Sequence, residues 1–311
     1  MILSASRRTD IPNYYMEWFL HRIREGYAYV RNPMNPHQIS RISLSPSVVD
    51  CVVFWTKNPE NMLPHLEALE AYPYYVQFTL TGYGRDIEPN LPDKKNRLIP
   101  TFQALSSKIG KERVVWRYDP LFLSQRYTVS YHLAAFAEIA RCLRGYTERV
   151  VISLIDLYAK TKRNTAGLSL SPPEGDTLLY MAGRMAHIAK ENGMMIESCA
   201  ESCDLLAVGV QHGSCIDPRL IERITGCPLR AAKDRNQRAA CGCAESIDIG
   251  AYHTCRNGCK YCYANFSPKK VADTVRLYAE YAPLLCGTVG PQDSIAERPV
   301  HSLKDIQLRL E

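Results

Sequence analysis

"VVDCVVFWTKNPEN", residues 48–61, is a run of β-branched and aromatic residues that ends abruptly in polar ones. Such a run has the composition of a β-strand. The pattern recurs in "MILSAS" at 1–6, "YYVQFTLT" at 74–81, "RVVWRY" at 113–118, "RVVISLIDL" at 149–157 and "MMIES" at 194–198. Between the runs lie amphipathic segments such as "MEWFLHRIREG", "ENMLPHLEALEAY" and "LLYMAGRMAHIAKENG", the last closed by a glycine suited to a helix C-cap. Alternation of strand and helix predicts an α/β protein with a parallel sheet. Six repeats suit an open or partial (β/α)6-type parallel barrel better than a doubly wound sheet. On this reading residues 1–198 form the partial barrel, and 199–311 form a cysteine-rich segment packed on it and covering its mouth.

Composition limits the function classes. Of 311 residues, 46% are hydrophobic and 23% charged, which is ordinary globular usage. No apolar run reaches the roughly 18 residues of a membrane span, so no membrane association is expected. "MILSASRRTD" has no long apolar stretch before its arginines, which reads as no export signal and a cytoplasmic location. The formal charge of +6 permits an anionic ligand without pointing to nucleic acid, since the basic residues are dispersed apart from short groups such as "KTKR" at 160–163.

Side chains at the C-terminal ends of parallel barrel strands converge on active sites. Here those ends read "SRRTD", "TKNPEN", "TGYGRD", "RYDP", "DLYAK" and "ESCAES". The charge-bearing groups select Arg7, Arg8, Asp10, Arg117, Asp119 and Glu197 as candidates for catalysis. Thr56, Lys57 and Asp119 stand where a ligand's polar groups would be met, and Lys57 or Arg117 suits a carboxylate or phosphate.

Twelve cysteines in a chain read as cytoplasmic favour metal or cluster binding over disulfides. Ten of them follow residue 198. Cys255, Cys259 and Cys262 lie in "CRNGCKYCYAN", residues 255–265, with Tyr261 directly before the last. Thiolates bind iron–sulfur clusters and zinc alike. Three thiolates would leave one iron of a four-iron cluster open. The spacing resembles the cluster loop of the radical S-adenosylmethionine (SAM) superfamily, which implies a [4Fe-4S] cluster as cofactor, although there the loop mostly follows the first strand.

The chain further resembles the uncharacterised family DUF1848, from "SASRRTDIP" through "FWTKNP" and "WRYDP" to "KDRNQRAACGC" and "DIGAYHTCRNGCKYCYAN". Tyr263 and Asn265 extend that resemblance and join Tyr261 as expected cofactor-binding residues. The resemblance implies a radical-SAM-like fold and SAM bound at the open iron, cleaved to a 5′-deoxyadenosyl radical. It also implies an electron donor such as ferredoxin or flavodoxin. The segment "TKNPEN" stands where the superfamily places a glycine-glycine-glutamate-like stretch. The expected substrate is a small molecule or peptide. "YCYAN" is also similar to the spore photoproduct lyase branch, so a nucleic-acid substrate stays open. The competing class is a non-catalytic iron–sulfur or zinc protein.

Cys199, Cys215, Cys241 and Cys243 form a second candidate metal set, for which a second cluster, zinc and inert buried thiols are the alternatives. Cys203 could replace Cys199 in it. Cys51, Cys142, Cys227 and Cys286 are read as structural. "IDPRLIERITG", between the two halves of the second set, reads as a short helix.

Overall fold

The computed structural model describes residues 1–305. In chain order the strands are β1 (Ile2–Ala5), β2 (Tyr27–Arg31), β3 (Gln38–Ser43), β4 (Cys51–Thr56), β5 (Tyr74–Thr79), β6 (Val114–Leu121), β7 (Arg149–Leu154), β8 (Met195–Cys199), β9 (Gln211–Gly213), β10 (Ile247–Asp248) and β11 (Ser294–Glu297). The helices are α1 (Ile11–Tyr14), α2 (Met16–Glu25), α3 (Ile99–Ile109), α4 (Val129–Leu143), α5 (Ala159–Asn164), α6 (Gly175–Glu191), α7 (Pro218–Thr225) and α8 (Pro268–Val275).

Eight strands form one parallel sheet in the order β10-β1-β4-β5-β6-β7-β8-β9. The six strands read from sequence are its centre, in chain order. The sheet is not a closed barrel among the described residues: β10 and β9 are its two edges. Both come from the chain beyond residue 199, so that segment completes the sheet as well as covering its end. A second sheet, β11-β3-β2, pairs β2 with β3 antiparallel and β11 with β3 parallel.

Strand side chains alternate between faces. Leu3, Val52, Phe54, Val76, Phe78, Trp116, Val150 and Ile152 pack in one cluster with Phe102 and Leu105 of α3, Phe136 and Leu143 of α4 and Met181 and Met185 of α6. Burying each such side chain contributes about 1.5–3 kcal/mol. The alternate positions, Ile2, Cys51, Val53, Tyr75, Val115 and Val151, pack in another cluster with Leu220 and Ile221 of α7 and with Cys199, Cys215, Cys241 and Cys243. Helices therefore cover one face of the sheet, while the cysteine-bearing segment covers the other. α7 is the short helix expected within 216–226, with Asp217 capping its N-terminus by accepting from the Arg219 amide at 3.1 Å. The stretch 60–72, read as helical, contains only a 3₁₀ helix at Leu63–Leu69, with Pro64 in its first turn.

Candidate functional site

β10 delivers the late cysteine loop to the site. It pairs in parallel with β1, Leu3 opposite Ile247 and Ser4 opposite Asp248. The chain leaving it therefore emerges at the same end of the sheet as "SRRTD", beside it. Asp248 fixes this pairing by accepting from Ser4 Oγ (2.7 Å), Ser6 Oγ (2.7 Å) and the Arg7 amide (2.8 Å). A C-terminal motif thus reaches the neighbourhood of the first strand's end through one short strand.

The loop is then tied to the strand-end loops it meets. Asn257 donates to Asp10 Oδ2 (2.9 Å) and accepts from Asn13 Nδ2 (3.2 Å) and Tyr14 OH (2.8 Å). Asp10 also accepts from the amides of Lys57 (2.9 Å) and Asn13 (3.2 Å), so one buried carboxylate joins the loops after β1 and β4 to the cysteine loop. Burial pushes its pKa up against these donors. Tyr15 OH donates to the Thr254 carbonyl (2.6 Å), and Tyr263 OH to the Arg7 carbonyl (2.8 Å). Gly258 turns the loop at φ +71°, and a Cβ there would sit 2.8 Å from Asn90 Nδ2.

A cavity of about 330 Å³ opens at this end of the sheet. Cys255, Cys259, Cys262, Cys199, Cys215, Cys241 and Cys243 all line it, as do Arg7, Arg8, Thr9, Asp10, Thr56, Lys57, Arg117, Asp119, Tyr261 and Tyr263. The structure therefore brings together both cysteine sets and most of the residues expected from sequence. Two stand apart. Glu197 lies on β8 below the cavity, 3.4 Å from Arg149, which binds Asp217 at 2.7 Å. Asn265 holds the loop from outside, donating to the Cys255 carbonyl at 2.8 Å. Cys199, the last residue of β8, lines the cavity and Cys203 does not.

Around Cys259 the decisive residue escaped sequence reasoning. Glu88, buried nine residues past β5, accepts from Lys57 Nζ (2.8 Å), Lys94 Nζ (2.5 Å), Thr81 Oγ1 (2.9 Å) and the Tyr261 hydroxyl. Burial alone would raise its pKa, but the two ammonium groups overcome that and hold it at about 2. Lys57 therefore gives one donor to Glu88 while it lines the cavity. Both lysines and Glu88 lie within electrostatic reach of Cys259. Burial raises the Cys259 thiol to about 12, with Lys57 pulling toward the thiolate. Burial likewise raises Cys255, with Asp10 and the charges of Cys262 and Cys259 adding to it. Metal-free, these thiols keep their protons.

The second set is more compact. Cys199 Sγ and Cys215 Sγ are 2.9 Å apart, and Cys241 and Cys243 are buried in the same cluster with them. Arg117 Nη1 donates to Cys215 Sγ (2.7 Å), while its Nε and Nη2 grip Asp119 (3.1 and 2.6 Å). The bonds from Cys199 and Cys243, followed by the charges of Arg117 and Arg7, hold the Cys215 thiol well below its usual range. Tyr75 OH (2.6 Å) and Gln77 Nε2 (2.9 Å) of β5 fix the Cys215 carbonyl over the sheet.

Fold and site define an α/β protein whose parallel sheet presents a thiol- and arginine-lined cavity at the C-terminal ends of its strands. Its family follows from the sequence as a whole: the model for the domain of unknown function DUF1848 matches residues 2–264, and the chain belongs to that family. No curated protein and no solved structure matches the chain. Among the described residues, no helix is long and apolar enough to cross a membrane.

Proposed function

We propose that this chain is a radical-SAM-type enzyme with a partial-barrel architecture, in which Cys255, Cys259 and Cys262 ligate a [4Fe-4S] cluster with one iron open to SAM. The observation that carries the reading is the convergence of these three thiols, one loop apart from the four other cysteines that line it, on a charged cavity at the strand ends. The donor set fits such a cluster. Asp10, the carboxylate beside Cys255, is already engaged by three donors, and Lys57 beside Cys259 favours the thiolate that iron requires. When bound, the two cofactors supply a one-electron reduction and a radical able to remove hydrogen from a C–H bond.

The chain's own residues bind, orient and exclude water. Among the described residues, Arg7 Nη2 and Thr9 Oγ1 are buried without a protein partner, and both residues line the cavity. They are the groups that meet a carboxylate or hydroxyl of SAM or substrate, since an unpartnered buried donor is costly until a ligand satisfies it. The Arg7 guanidinium lies 5.4 Å from the Trp55 ring centroid, which fixes its orientation. Arg117 and Asp119 neutralise one another and line the cavity as well. The volume suits a small molecule or the end of a peptide beside SAM better than a nucleic-acid strand. An electron donor of the ferredoxin or flavodoxin class is the partner this chemistry needs.

The test is anaerobic reconstitution with iron and sulfide, reduction by dithionite and addition of SAM. Release of methionine and 5′-deoxyadenosine, lost in the Cys255→Ala, Cys259→Ala, Cys262→Ala triple variant, is the expected result. A reconstituted brown protein that leaves SAM intact would mark a non-catalytic carrier instead.

A further inference from the structure

We propose that Cys199, Cys215, Cys241 and Cys243 hold a single zinc ion in a closed tetrathiolate site, separate from the three cysteines of the late loop. Three chain segments meet there. Cys199 ends β8, Cys215 follows β9, and Cys241 and Cys243 lie beyond α7.

Size separates this site from a cluster. A zinc ion bound at about 2.3 Å by four sulfurs sets them about 3.8 Å apart at the corners of a tetrahedron. The Cys199–Cys215 separation of 2.9 Å needs only a small expansion to match it, and Cys241 and Cys243 are buried in the same packed cluster. A four-iron cluster places four irons and four sulfides between its thiolates, which drives the sulfurs out of contact with one another.

Charge and hydrogen bonding agree with the assignment. Zinc with four thiolates carries a net charge of −2, and two arginines stand beside it. Arg117 contacts Cys215 at 2.7 Å, and the charge of Arg7 acts on Cys243 and Cys215. The Ile216 amide donates to Cys243 Sγ at 3.4 Å. Donors to ligand sulfur of this kind orient metal-bound thiolates and offset their charge. Binding releases the remaining thiol protons to solvent.

All four corners are protein sulfur, which marks a structural site with no position for water or substrate. The ion fastens residues 215–243 to the end of β8 and so builds the cavity wall that Arg7 and Arg117 share. This assignment stands whether or not the late loop carries a SAM-cleaving cluster.

Metal and sulfide analysis of the full chain, purified anaerobically, tests it. Wild type and the triple Ala variant of Cys255, Cys259 and Cys262 should each retain about one zinc per chain, and the Cys241→Ser, Cys243→Ser variant should lose it. Because the latter variant can fail to fold, zinc-stripped wild type is also titrated with cobalt(II). Thiolate-to-cobalt charge transfer and strong visible bands saturating at about one equivalent are expected. About four irons with acid-labile sulfide remaining in the triple variant would overturn the proposal in favour of a second cluster. A single iron without sulfide would overturn the choice of zinc. A Cys199–Cys215 disulfide in the anaerobic protein, or cobalt binding without thiolate charge transfer, would overturn the site itself.

Discussion

Replacing Glu88 with Gln keeps the shape of the side chain and removes the charge that holds two half-buried lysines beside Cys259. The carboxyl has 1% of its side-chain surface exposed and is held from the usual 4.5 down to about 2. That depression corresponds to about 3 kcal/mol of folding stability at neutral pH. It falls within the roughly 3–5 kcal/mol expected when one partner of a buried ion pair is removed. The sign follows from the direction of the shift. A depressed carboxyl stabilises the fold above its unfolded value of about 4.5, and the contribution disappears as pH falls toward about 2. Urea unfolding of the metal-free protein, followed by circular dichroism, should therefore show Glu88→Gln about 3 kcal/mol less stable than wild type at pH 7. The gap should hold down to about pH 5 and narrow below about pH 4.5. A gap under about 1 kcal/mol at pH 7, or one that does not narrow in acid, would refute the reasoning and mean that water or a counter-ion already compensates the lysines.

Gly250→Ala should lower the thermal midpoint and the iron content after reconstitution together, because a Cβ at residue 250 would sit 2.0 Å from Ser6 Oγ and 2.6 Å from Ser6 Cβ. Ser6 binds Asp248, so the clash attacks the junction that delivers the late loop, at a cost of about 1–3 kcal/mol. Arg117→Lys keeps the charge but cannot grip Asp119 with two nitrogens while also reaching Cys215, and should cost about 1.5–3 kcal/mol in denaturant unfolding. Equal stability of this variant and wild type would show that the planar fork is not needed. Asn257→Ala leaves Asp10, Asn13 and Tyr14 each short of a partner, so cluster incorporation should fall while zinc content stays near wild type. Loss of both metals together would show that the two sites are not structurally independent.

The strands at the centre of the large sheet were legible because each carries a β-branched and aromatic run long enough to be read without its partners, from "VVDCVVFWT" to "MMIES". The polar residues after them were legible as a site because parallel strands leave their C-terminal ends on one edge, which alternation with helices alone dictates. The cysteine spacing at 255–262 was legible for the same local reason. The short strands β9 and β10 were not, since three and two residues carry no period and become strands only when β8 and β1 offer them hydrogen bonds. β10 decides how a late motif arrives beside the first strand, so the topology of the site belonged to the tertiary structure. Glu197 shows the same limit: it follows the strand pattern as well as Arg117 does, yet Arg149 holds it below the cavity. Glu88 was hidden by its distance from the end of β5, and only the packing of Lys57, Lys94 and Tyr261 around it gives it a role. Sequence determined which residues have the chemistry and which end of the sheet they occupy. Which of them touch depended on long-range pairings, because a contact between residues far apart in the chain leaves no trace in the local pattern of either one.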